Sequence, residues 1–135
     1  MKILLQKFPF ITLKQSLVLL RVSTAALFIA HAVIRITGGT TGRFGGFLND
    51  KGLLIGVPIV WAITAYEIIA GSLLCIGVFT RWLSAGFIVL LITGIILIHA
   101  ANGWFVGEHG TGGVEYSFAL IVTLIVIAAN AKPKY

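Results

Sequence analysis

Residues 57–79 read VPIVWAITAYEIIAGSLLCIGVF, residues 80–81 read TR, and residues 82–101 read WLSAGFIVLLITGIILIHAA. At a rise of about 1.5 Å per residue, each apolar run is long enough to cross roughly 30 Å of hydrocarbon as a helix. A two-residue break between them makes them antiparallel neighbours. Pro58 sits in the first turn of the earlier run, where a missing N–H costs little. Both runs are apolar on nearly every side, as helices surrounded by lipid are. Working outward, a third apolar run covers about Leu17–Ile36 and a fourth about Val114–Ala131. The fourth is slightly short and stops before Lys132-Pro133-Lys134, where proline cannot continue a helix. The expectation is one domain over residues 1–135, an all-α integral membrane protein. Its architecture is an antiparallel four-helix transmembrane bundle.

Composition agrees. Of 135 residues, 59% are hydrophobic and 10% charged, against roughly 25% charged in a soluble domain. Fourteen charged side chains do not cover a soluble surface of this size. Disorder and a disulfide scaffold are excluded on the same grounds. The net charge is +6, but the basic residues are scattered beside apolar runs, so nucleic acid is not an expected partner. Cys75 is the only cysteine, so no dithiol relay operates within one chain. The leader Met1–Lys14 carries three lysines and Pro9 and suits the membrane interface. Ala30-His31-Ala32 mimics a signal-peptidase site, but the apolar run continues beyond it.

Charge also orients the chain. With the N-terminus inside, Lys2, Lys7, Lys14, Arg81, Lys132 and Lys134 lie inside, and Arg35, Arg43 and Lys51 outside. Six basic residues against three favours N-in/C-in in a plasma membrane. Two longer loops then face outside, Thr37–Gly56 and Asn102–Gly113. In the first, Phe44, Phe47 and Leu48 have i, i+3, i+4 spacing, which predicts an extra short half-buried helix ending near Gly52. Small residues mark expected packing positions: Ala26, Ala30, Gly71, Cys75, Gly86 and Gly94.

Ionisable groups inside spans are costly and therefore informative. His31 lies roughly 8 Å from the outer end of the first span and Glu67 roughly 15 Å into the second. His99 and Asn102 close the third span, and Glu115 and Tyr116 open the fourth. His31 and Arg35 are four apart and share a helix face. Together these residues describe a cup open to the outside, with a carboxylate at its floor, suited to ligand binding or proton exchange. Each also has a plainer reading. Glu67 can hold the bundle together by pairing with a basic residue, and the two histidines can be satisfied within the fold. Arg21 and Arg81 read as structural charges, Arg21 snorkelling towards headgroups and Arg81 setting topology. No metal-ligand spacing is present.

The ordered set Leu20-Arg21, His31 with Arg35, Phe44-Gly45-Gly46-Phe47, Trp61 with Glu67, Gly77-Val78-Phe79-Thr80-Arg81, His99 with Asn102-Gly103, and Glu115-Tyr116 resembles the DoxX family of small four-span membrane proteins. The family often has His-Gly and Lys where this chain has His31-Ala32 and Arg35. The resemblance implies a bacterial inner-membrane bundle, with some relatives acting in quinone-linked oxidoreductases, so quinone and a redox protein partner are the ligand and partner it brings. A quinone carbonyl accepts hydrogen bonds, and histidine and glutamate near it can exchange protons. Two alternatives stand beside this reading. One is a non-catalytic membrane subunit or small-solute carrier, for which a homo-oligomer could build the pathway. The other is haem held between His31 and His99.

Overall fold

The computed structural model describes residues 8–105 and 112–131. Among the described residues the α-helices are, in chain order, α1 Leu13–Thr37, α2 Thr41–Asp50, α3 Gly56–Ile76, α4 Thr80–Gly94 and α5 Glu115–Asn130. A π-helical turn, Ile95–His99, and a 3₁₀ turn, Ala100–Asn102, prolong α4. Helices α1 and α3, and α4 with its two turns, are long and apolar enough to cross a membrane; α5 is apolar and shorter. Its 16 residues span about 24 Å.

Local chemistry sets the ends. Thr12 and Gln15 form a reciprocal cap at the start of α1: the Gln15 N–H donates to Thr12 Oγ1 at 3.3 Å, and the Thr12 N–H donates to Gln15 Oε1 at 2.8 Å. Helix α1 therefore begins four residues before the apolar run does. Gly77, at φ +84°, closes α3 in a left-handed cap. Its N–H donates to the Leu74 carbonyl, and the Val78 N–H reaches back to Leu73, both at 3.0 Å. The reversal thus occupies Gly77-Val78-Phe79, three residues earlier than Thr80-Arg81, because the glycine takes the left-handed conformation first. Phe79 follows it at φ +49°.

The four long helices close a ring in which α1 packs on α3 and α5, and α4 on α5 and α3. At its centre Phe28 stacks on Phe87, with centroids 4.0 Å apart, and Tyr66 tilts against the same ring at 5.0 Å. Ala25, Ala70, Leu74, Leu124 and Ile127 complete this core. Leu19, Ile69, Val89, Ile96 and Ile125 point outward and are exposed, an apolar belt that belongs in a lipid bilayer. The small helix α2 packs on α3, at one end of the bundle.

The small residues divide. Gly71 meets the Ile29 side chain and Gly86 meets Tyr66. Ala26 and Ala30, however, face outward, whereas Ala25 and Ala32 are buried, and Gly94 borders open space. In a helix apolar all round, spacing alone does not mark the inner face.

A Cβ on Gly86 would overlap the Tyr66 hydroxyl, which donates to the Leu83 carbonyl at 3.2 Å. Gly86→Ala is expected to cost about 1–3 kcal/mol by overpacking. Adding Tyr66→Phe removes the clashing oxygen and should return much of that loss. Unfolding in detergent measures both; a double variant no more stable than the single one would contradict this account.

Candidate functional site

The chemistry gathers at the α2 end of the bundle. Arg35, in the last turn of α1, reaches across to α3. Its Nη1 donates to Glu67 Oε2 at 2.6 Å and to Thr64 Oγ1 at 2.8 Å; its Nη2 donates to Glu67 Oε1 at 3.4 Å. The Thr64 hydroxyl in turn donates to the Val60 carbonyl at 2.7 Å. Both charged side chains are largely withdrawn, 13% exposed for Arg35 and 6% for Glu67. The pair is bidentate, the arrangement in which a guanidinium and a carboxylate hold one another most firmly. Phe44 of α2 covers it from the side, its ring centroid 5.7 Å from the Arg35 guanidinium carbon.

Helix α2 is held there by backbone contact. The Gly56 N–H donates to Asn49 Oδ1 at 2.7 Å. A Cβ on Gly56 would strike the Gly45 carbonyl, and one on Gly45 would lie 2.7 Å from the Val57 nitrogen. Glycine at both positions lets the two backbones touch, and this places Phe44 and Phe47 over the end of α1.

Between these elements lies a cavity of about 570 Å³. His31, Arg35, Arg43, Phe44 and Phe47 line it, with Ile34 and Ile98 on its apolar side. Arg35 spends both Nη1 hydrogens and one on Nη2 within the fold, which leaves its Nε–H and a second Nη2 hydrogen. Among the described residues no carboxylate lines it. The cavity is thus rich in donors and cations, bounded by two aromatic rings, and suited to a flat, acceptor-bearing molecule.

Of the residues singled out in the sequence, His31 and Arg35 come together here. Glu67 lies beneath, spent on Arg35, so the floor of the cup is an ion pair and not a free carboxylate. The others stand apart from the cavity lining. His99 ends the π-helical turn, one residue beyond Ile98, and its Nδ1 is buried without a hydrogen-bond partner among the described residues. The exposed Asn102 side chain donates to the Ile98 carbonyl at 3.5 Å. Glu115 is half-buried in the first turn of α5, and its N–H donates to the Trp104 carbonyl at 3.0 Å. Tyr116 is exposed. Arg21 and Arg81 are at the opposite end of the bundle. The Glu108-His109 pair lies outside the described residues.

Two further residues belong to this arrangement, Thr64 in the hydrogen-bond network of the pair and Arg43 in the cavity lining. Thr64 is three residues before Glu67 and shares its face, a spacing that could have found it. Arg43 offered only a place in the loop-helix, directly before Phe44.

Among the described residues no group of three or more His, Cys, Asp and Glu side chains could hold a metal ion. The comparison with known proteins agrees with this architecture. The chain is 30% identical over 118 residues to the Bacillus subtilis (strain 168) protein named "Putative oxidoreductase CatD", covering 84% of this chain and 78% of that one. No solved structure matches it. The DoxX family model matches residues 16–100, from α1 through α2 and α3 to the end of the third span, the segment that carries the Arg35–Glu67 pair and the cavity. On that match the chain belongs to the DoxX family.

Proposed function

We propose that the cavity at the α2 end binds the head group of a quinone, and that the chain serves as the membrane subunit of a redox complex. The observation that supports this reading most is the lining itself. Donors on His31, Arg43 and Arg35 meet two aromatic rings and an apolar side formed by Ile98 and the exposed Ile34. A quinone head is flat and conjugated, carries two carbonyl acceptors and trails an apolar tail. The Phe44 and Phe47 rings suit its faces, and the cationic side suits its carbonyls. The name borne by the Bacillus relative points towards redox chemistry.

Reduction of a bound quinone consumes two electrons and two protons. In this reading a partner oxidoreductase supplies the electrons, since Cys75 is a single thiol. His31 is placed to relay a proton from water, because its ring is exposed at the cavity. The α2 end faces the outside of a bacterial inner membrane, with both termini inside.

The test is retention of a radiolabelled short-chain naphthoquinone by the chain in lipid nanodiscs. His31→Ala and Arg43→Ala each remove one donor and should weaken retention about tenfold. Unchanged retention in both variants overturns the reading. A chain that retains no quinone but co-purifies with a soluble partner would instead be a non-catalytic membrane subunit.

A further inference from the structure

The end of the bundle away from α2 holds a second cavity, of about 900 Å³, which the reading above does not use. Its polar lining is Arg21 from α1, Thr80 and Arg81 at the start of α4, and Asn130 at the end of α5, with Trp82 beside them. Three features of this place need a common account.

The first is Arg21. Its guanidinium lies against Gly77, at the left-handed turn that closes α3. A Cβ there would be 2.6 Å from Nη1 and 3.0 Å from Cζ. The glycine that makes the turn therefore also makes the seat. The Nε of Arg21 is buried and has no hydrogen-bond partner among the described residues. The second is charge. Arg81 adds another guanidinium to the same lining, and no carboxylate lines the cavity among the described residues. Glu67 is already held by Arg35, and Glu115 stands at the far end of α5. The third is the start of α4. The first turn of the helix, from Thr80, borders the same cavity, and a helix start carries partial positive charge. The C-terminal ends of α3 and α5 lie nearby and offset part of this field, but a helix end carries only about half a charge against two full ones.

We propose that this cavity is a binding site for a phosphate-type oxyanion, with Arg21 and Arg81 as its two cationic ligands. An arginine fork matches phosphate oxygens in pairs, and two of them with an asparagine and a helix start supply enough donors for a tetrahedral anion. The anion has two sources: the headgroup phosphate of an anionic lipid, or a free phosphate or phosphorylated solute. Trp82, 81% exposed, is of the residue type that settles at the headgroup level of a bilayer.

The experiment is native mass spectrometry of the full chain released from detergent, with phosphatidylglycerol, phosphatidylcholine or inorganic phosphate as the added probe. Preferential retention of phosphatidylglycerol over phosphatidylcholine assigns the site to lipid. Stabilisation by inorganic phosphate without lipid preference assigns it to a soluble anion. In either case Arg81→Gln, at an exposed position that leaves packing intact, should lower occupancy about fivefold, and Arg21→Gln with Arg81→Gln about 30-fold. The proposal is overturned if the wild-type chain prefers neither anion, or if both variants hold the anion as the wild type does. The quinone assay on the same variants should be unchanged, so the two sites fail or stand separately.

Discussion

Glu67→Ala is expected to cost about 3–5 kcal/mol of stability, among the largest losses available to a single substitution in this chain. The carboxylate is 6% exposed and takes two hydrogen bonds from Arg35. Removing it leaves a guanidinium in a largely withdrawn position, with Thr64 as its remaining hydrogen-bond partner. Arg35→Ala should cost a similar amount, because it strands the carboxylate between α1 and α3. The two losses should not add. Arg35→Met with Glu67→Leu places apolar side chains of comparable volume in the same space, and such replacements of buried pairs are often neutral or stabilising. Equilibrium unfolding in mixed detergent micelles, followed by circular dichroism, reads all three. A Glu67→Ala chain within about 1 kcal/mol of wild type would show that the pair is not what joins these helices. The double variant also separates two roles of Arg35. If it folds well but retains naphthoquinone poorly, the guanidinium contributes to the cavity as well as to the bundle.

Gly56→Val should detach α2 from the bundle. The Gly45 carbonyl occupies the place a side chain at Gly56 would need, and that obstacle is backbone, which a rotamer change does not move. Overpacking of this kind costs about 1–3 kcal/mol and sometimes more. The loss should be local. The stack of Phe28 on Phe87 lies on other helices, so overall helix content should hold while amide exchange over Thr41–Asp50 accelerates. Phe44 and Phe47 would leave the cavity with α2, and quinone retention should fall further than with any single lining substitution. Gly45→Val, which meets Val57 across the same contact, should reproduce both effects. Unchanged exchange over α2 in both variants would refute this account of how the helix is held.

The glycine pair also shows where reading the sequence stops. Nothing in the sequence marks Gly45 and Gly56 as partners, and their contact exists because α2 folds back along α3. The ion pair is an intermediate case. Arg35 and Glu67 are conspicuous as charges in apolar runs, and their depths can be counted residue by residue. That they join each other, with Thr64 as a third member, depends on which faces of α1 and α3 meet. Ala26 and Ala30 make the same point, since their neighbours Ala25 and Ala32 turn inward instead.

By itself, then, the sequence determined the class, the helices and the short helix between the first two long ones. Those follow from hydrophobic length, break positions and local turn chemistry, each of which acts over a few neighbouring residues. Only the tertiary structure decided which polar residues share a site. It set Glu67 under the cavity as the partner of Arg35, brought Arg43 and two phenylalanines to the lining, and gathered Arg21 and Arg81 at the other end. The physical reason is the lipid-compatible helix: with apolar side chains on every side, it carries almost no rotational signal, so its inward face is chosen by packing against helices far away in the chain.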